Sequence, residues 1–143
     1  MLPAVAALLM ACDSDPFDAS QVPTIRITPL VALPLVSIAW TPEGAQQVRV
    51  YKGSVVDDQA DLVVWSVTAT GPNTLVSPIE YGSTRPTGGT ADTPAKPIVL
   101  GQAYTVVVSR IDPKKVSKLG ITSALPRYQR SQTFTLSDTT QRS

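Results

Sequence analysis

The chain has 143 residues, of which 43% are hydrophobic and 16% are charged, and its formal net charge is +1. This length fits one domain, the composition is too apolar for a disordered chain, and the charge gives no general attraction to nucleic acid. The chain has no histidine and a single cysteine, which excludes the usual Ser–His and Cys–His catalytic pairs, most zinc sites and an internal disulfide. We therefore expect no enzyme activity, no metal or other cofactor, and no nucleic-acid partner.

The chain begins with a short apolar run that ends at a cysteine. Residues 2–11 (LPAVAALLMA) precede Cys12, and the polar, acidic sequence DSDPFDASQ follows it. The tetrad LMAC resembles the lipobox of bacterial lipoproteins, in which a peptidase cleaves before the cysteine. The resemblance implies that residues 1–11 are a signal segment. It also implies that Cys12 is the lipid attachment site, joined to diacylglycerol through a thioether and often carrying a further acyl chain such as palmitate.

The segment departs from the lipoprotein pattern because no Lys or Arg precedes the apolar run. A start codon placed too far downstream would account for this, in which case the signal segment is truncated. The alternative is a buried N-terminal strand with a lone core cysteine, but the abrupt change to Asp13, Asp15 and Asp18 favours export. Two or three acyl chains anchor a protein stably. We expect an exported protein, lipid-anchored at the cell membrane or outer membrane, with residues 12–21 as the lipidated cysteine and a flexible tether.

After the tether, apolar residues recur with a period of two, and turn residues interrupt them. Seven short strands without a helical period predict an all-β, two-sheet sandwich over residues 22–137, followed by a disordered tail over residues 138–143. The predicted strands cover residues 24–28, 35–40, 47–52, 62–68, 74–81, 103–111 and 132–136. Between the fifth and sixth of them, the Gly82–Pro97 segment is predicted to be a long loop without secondary structure.

Two aromatic residues give the predicted sandwich a closer resemblance. Trp40 ends the second strand, and the sequence IVLGQAYTV sets Ile98, Gly101 and Tyr104 at the spacing of a tyrosine corner. These features resemble the fibronectin type III domain, an immunoglobulin-like fold. The resemblance implies that Trp40 fills the core and that the Tyr104 hydroxyl bonds the backbone near the turn, so that both are structural core residues.

Two surface segments are candidates for contact with other molecules. A run of basic residues surrounds the last loop, and Lys114, Lys115 and Lys118 form its centre. In the fibronectin type III arrangement that loop lies at the same end of the domain as the tether. Two interpretations follow: the loop faces the membrane, or it is an ordinary solvated loop. The Gly82–Pro97 loop is expected at the opposite end, with Arg85 as its candidate partner contact, unless the loop is a tolerant insertion.

Other patterns favour the simpler interpretation. The acidic residues around Asp57 lack the spacing of a calcium loop and are expected to be solvated. Trp65 and Tyr81 are the available rings for sugar stacking, but the strand pattern around Trp65 favours a core position. The sequence therefore predicts a lipid-anchored cell-envelope protein acting as a non-catalytic binding or structural module, with an unknown envelope protein or polysaccharide as partner. The alternative is a carbohydrate-binding surface module.

Overall fold

The computed structural model describes residues 17–30, 35–54, 62–112 and 126–137. Within these residues the chain forms a 3₁₀ turn and eight β-strands. The prediction of seven strands is therefore wrong, because β6 forms inside the segment predicted to be an unstructured loop. The 3₁₀ turn is Ala19–Gln21, and the strands are β1 (Thr24–Pro29), β2 (Val36–Thr41), β3 (Gln47–Lys52), β4 (Val63–Ala69), β5 (Ile79–Glu80), β6 (Gly89–Thr93), β7 (Ala103–Ile111) and β8 (Pro126–Thr135).

The strands form two antiparallel sheets, which confirms the all-β, two-sheet class. The smaller sheet has the order β1-β2-β5 and the larger has the order β6-β4-β3-β7-β8. The predicted strand over residues 74–81 shrinks to the two residues of β5. The reason is that Leu75 forms an isolated bridge with Ala45, while the Ser77 backbone N–H donates to a Glu43 carboxylate oxygen at 2.8 Å, so neither residue joins the ladder.

The core lies between the sheets and follows from the two-residue alternation of the strands. Along β2 the burial pattern alternates strictly, so every second side chain faces the larger sheet. Strands β4 and β7 are buried at nearly every position, so side chains on both of their faces are shielded from solvent. The largest fully buried side chains include Trp65, Tyr104, Ile38, Leu75 and Leu136.

The strand register defines two ends of the sandwich. Thr24 pairs with Thr41, and a short turn leads from there into β3, so the start of β1, the end of β2 and the start of β3 share one end. We call this end the entry pole. The opposite end, the far pole, holds the pair Pro29 and Val36 and the start of β7.

The Gly82–Pro97 segment is not a loop confined to the far pole, so that expectation is wrong. It leaves the far pole after Tyr81, returns to the entry pole at Gly88, and runs back as β6 along β4. Gly88 accepts a backbone hydrogen bond from Thr70 at 2.9 Å, and Thr87 accepts one from Val76 at 3.2 Å. The segment forms because the outer edge of β4 supplies backbone groups that need partners. It thereby closes one side of the sandwich.

Candidate functional site

Arg110, near the end of β7, fixes the N-terminal residues to the entry pole. Its side chain is 7% exposed, and burial lowers its pKa from the ordinary value. One Nη donates to the carbonyl oxygens of Glu43 (2.8 Å) and Gly44, and the other donates to the Gln21 side chain at 2.9 Å. Arg130 adds a bond from Nε to the Pro23 carbonyl at 2.8 Å. The residues that lead into β1 are therefore held at a defined position on the sandwich.

At the entry pole, the Asn73 side-chain amide forms the same pair of hydrogen bonds with Ile111 that a neighbouring strand would form. Its side-chain amide donates to the Ile111 carbonyl and accepts from the Ile111 N–H, both at 2.9 Å. Its own backbone N–H donates to the Gln46 side chain at 2.8 Å, and it adopts a positive φ of 51°, which Asn tolerates better than most residues. The turn between β4 and β5 is thus tied to the end of β7.

The two residues predicted to be structural lie between the sheets, since Trp40 and Tyr104 are each 2% exposed. The Tyr104 hydroxyl accepts the backbone N–H of Val99 at 2.9 Å, and its ring stacks on Phe134 with a centroid distance of 5.8 Å. The Trp40 backbone N–H donates to Ser77 Oγ at 2.9 Å. The indole Nε1 of Trp40 is buried and has no hydrogen-bond partner among the described residues.

The other aromatic pair is also buried. Trp65 is 0% exposed and Tyr81 is 6% exposed, and their rings contact each other with centroids 5.1 Å apart. Trp65 Nε1 donates to the Ser83 carbonyl at 3.3 Å, and the Tyr81 hydroxyl donates to the Lys96 carbonyl at 2.5 Å. Burial, reinforced by Tyr104, raises the pKa of Tyr81 above its ordinary range. Neither ring presents a face on which a sugar could stack.

Arg85 lies at the rim of a surface groove. The groove has a volume of about 460 Å³ and contains one exposed basic side chain, Arg85, and one exposed acidic side chain, Glu80. We call it the Arg85 groove. It is lined by Pro78, Ile79, Glu80, Tyr81, Gly82, Ser83, Arg85, Pro86 and Thr87. The sequence predicted Arg85 as a contact residue but gave no sign of the groove, which exists only because the chain turns back after β5.

A second groove, of about 450 Å³, crosses the outer face of the larger sheet over β3, β4 and β6. Its walls are hydrogen-bonding side chains that contact one another. Gln47 donates to Thr68 Oγ1 at 3.3 Å, and Thr68 in turn donates to Asp92. Arg49 Nη1 donates to the Tyr51 hydroxyl at 3.2 Å. This arrangement offers hydroxyl, amide, guanidinium and carboxylate groups to a polar ligand, and the sequence did not predict it.

Several predicted sites lie outside the described residues, namely Cys12, the basic residues Lys114, Lys115 and Lys118, and the acidic residues around Asp57. Over the part of the chain that is described, no three side chains of His, Cys, Asp or Glu come together to hold a metal ion. No helix in that same part is long and apolar enough to cross a membrane.

Comparison with known proteins gives no relative for this chain. No protein-family model, no curated protein and no solved structure matches it.

Proposed function

We propose that this chain is a lipid-anchored cell-envelope protein whose β-sandwich acts as a non-catalytic binding module. The observation that carries the proposal is the apolar run that ends in LMAC and changes at once to acidic sequence. The fixed entry pole supports it, because Arg110 bonds Gln21, Arg130 bonds Pro23, and the ring of Phe17 contacts Tyr128. From Cys12 to Phe17 an extended chain spans at most about 18 Å, so the lipid would keep the entry pole close to the bilayer.

Within the sandwich class, we propose a fibronectin type III-like domain with one added strand. Two features support this finer assignment. Trp40 lies in the core on β2, and the Tyr104 hydroxyl bonds the backbone of Val99 five residues earlier, as a tyrosine corner requires. Strand β6 is the addition to the family's seven strands.

The basic residues Lys114, Lys115 and Lys118 are proposed to face the membrane. They follow β7, which ends at the entry pole beside the residues that lead into β1. On an anionic bilayer each such residue adds about 1 kcal/mol of attraction. The lipid and the lysines would then act at the same end of the domain.

For the partner site we propose the Arg85 groove. It combines a concave surface with the exposed guanidinium of Arg85, a group that forms charge-assisted hydrogen bonds with carboxylates. A groove of this kind fits an acidic segment of an envelope protein, with Arg85 pairing with a carboxylate and the walls contacting the chain on either side.

Lipid attachment is tested by the variant Cys12→Ser in a bacterial host fed radioactive fatty acid. We expect the variant to lose all label and to leave the membrane fraction, because the serine hydroxyl does not replace the thiol nucleophile. The double variant Cys12→Ser/Ser14→Cys keeps one thiol in the chain but moves it out of the tetrad, and should behave like Cys12→Ser. Full membrane retention of Cys12→Ser would refute the anchor.

The partner site is tested by Arg85→Glu in the membrane-anchored protein, with the partner captured by mild cross-linking from the native envelope. We expect capture to fall at least about tenfold, since reversing a paired interfacial charge typically costs several kcal/mol. Arg26→Glu, which changes an exposed arginine of β1, should leave capture unchanged. Equal capture by both variants and the parent chain would exclude the groove.

A carbohydrate-binding surface module is the second candidate. It is favoured by the polar groove on the larger sheet, whose hydroxyl, amide and carboxylate groups suit a polyhydroxylated ligand. For such a module, purified envelope polysaccharide would retain the chain by itself, and retention would be the same for the parent protein and for Arg85→Glu.

A further inference from the structure

Strand β8 is exposed on both of its faces. From Gln129 to Thr133 every side chain is exposed, although alternate residues should turn toward the core. Gln132 pairs with Val106 and Arg130 pairs with Val108, and both partners lie in the hydrophobic core. The inward-facing side of β8 is therefore exposed at Arg130 and Gln132, where the three-stranded sheet is narrower than the five-stranded sheet, whereas Phe134 is half-buried.

The four outer strands differ in how well they are protected against pairing with another chain. Soluble proteins protect edge strands by making them short, by placing proline or charge on them, or by covering them. Strand β5 has only two residues, and β6 has five and contains the charged residue Asp92. Strand β1 is preceded by Pro23 and ends at Pro29. Strand β8 has ten residues, with Pro126, Arg127 and Arg130 in its first half and neither proline nor charge in residues 131–135.

Among the described residues, Tyr128 contacts the ring of Phe17, Arg130 bonds the Pro23 carbonyl, and Thr133 Oγ1 donates to the Ser54 carbonyl at 3.4 Å. The start of β1 therefore lies beside Arg130. Residues 131–135 continue past the Arg130 contact, and on the side away from β7 no described strand pairs with them. Their outward N–H and C=O groups have no strand partner among the described residues and form an uncharged template about 17 Å long.

We propose that residues 131–135 pair antiparallel with the same residues of a second copy of this chain. The two five-stranded sheets would then form one continuous ten-stranded sheet. The contact is isologous and uses up the open edge in both copies, so it closes at a dimer. This inference does not depend on the lipid anchor or on the Arg85 groove.

The charge pattern is what favours a second copy as the occupant. Residues 131–137 contain no charged side chain. In an antiparallel pair centred near Gln132 and Thr133, the two Arg130 side chains are offset by four to six residues, or about 13–20 Å. This separation exceeds the screening length of roughly 8 Å at physiological salt, so self-pairing brings no costly like charges together. The half-buried ring of Phe134 also gains cover from the neighbouring strand.

Cysteine cross-linking in the full chain tests the proposal, with Cys12→Ser in every protein so that no other thiol is present. Thr133→Cys sets the new thiols opposite each other across the dimer, where Cβ atoms lie about 5 Å apart. Thr90→Cys carries an equally exposed thiol on the β6 edge. Under mild oxidation in the same detergent, we expect about tenfold more covalent dimer from Thr133→Cys. Equal yields from the two variants would overturn the proposal.

A second measurement needs no engineered thiol. Sedimentation velocity of the Cys12→Ser chain should show a dimer that grows with concentration. Thr133→Lys should abolish the dimer because it sets like charges opposite each other, whereas Thr90→Lys should keep it, and circular dichroism should show that both variants are folded. A parent chain that stays monomeric, or a dimer that survives Thr133→Lys, would contradict pairing through β8.

Discussion

Replacing Trp65 by alanine is expected to lower the free energy of unfolding by about 3–5 kcal/mol. The indole is fully buried between the sheets and contacts the Tyr81 ring, so its removal leaves a cavity that the surrounding strands cannot close. Its Nε1 bond to the Ser83 carbonyl also holds the start of the segment that returns toward the entry pole. Urea denaturation followed by circular dichroism measures the change, and Phe17→Ala, at a ring that is 61% exposed, should cost less than about 1 kcal/mol.

Phenylalanine substitutions distinguish the contributions that the indole N–H groups of the two buried tryptophans make to stability. Trp65→Phe leaves the Ser83 carbonyl without its donor, whereas Trp40→Phe removes an indole N–H that has no partner among the described residues. Because both changes remove a similar volume, Trp65→Phe should cost about 1 kcal/mol more than Trp40→Phe. Equal costs, or a larger cost at Trp40, would show that the Trp40 indole forms a bond in the native protein.

Gly88→Ala is expected to destabilise the protein by about 3–5 kcal/mol. Gly88 has a φ of +83°, and a Cβ built on it would lie 1.8 Å from the Thr74 carbonyl oxygen. That oxygen belongs to backbone, so relief requires the whole segment to move away from the β4–β5 turn. The movement would also break the hydrogen bonds that Thr70 and Thr74 donate to the Gly88 carbonyl.

Gly101→Ala provides the matched control for Gly88→Ala. Gly101 has a similar φ of +85°, but a Cβ there meets nothing within 4 Å. Gly101→Ala should therefore lower the free energy of unfolding by only about 1–2 kcal/mol, the cost of placing a Cβ at a positive φ. Denaturation midpoints compare the two variants directly. If Gly88→Ala is no worse than Gly101→Ala, the segment from Gly82 onward does not pack as described.

The elements that the sequence predicted accurately are those with strong local signals. The bounds of β3 and β7 match the prediction, because β3 alternates polar and apolar residues up to Gly53 and β7 is a largely apolar run after Gly101. A core position for Trp40 was implied by the resemblance to the fibronectin type III domain, and the side chain is buried. Patterns of this kind involve only residues that are close together in the chain, so they can be recognised from a single sequence.

The elements that were missed depend on contacts between distant residues. Strand β6, with the sequence GTADT, has no alternating apolar pattern. It forms because its backbone pairs antiparallel with the edge of β4. Arg110 belongs in sequence to a run of basic residues near the last loop, yet it is buried by partners at Gln21 and Glu43. The Arg85 groove likewise arises from the return of the chain after β5, which no local pattern specifies.

The most direct test of the proposed envelope role is the mass of the protein extracted from bacterial membranes. Intact-mass and N-terminal peptide spectra should show a chain that begins at Cys12, with residues 1–11 removed and a diacylglycerol thioether on the cysteine. A membrane-extracted chain that retains Met1 and carries an unmodified Cys12 thiol would contradict the account.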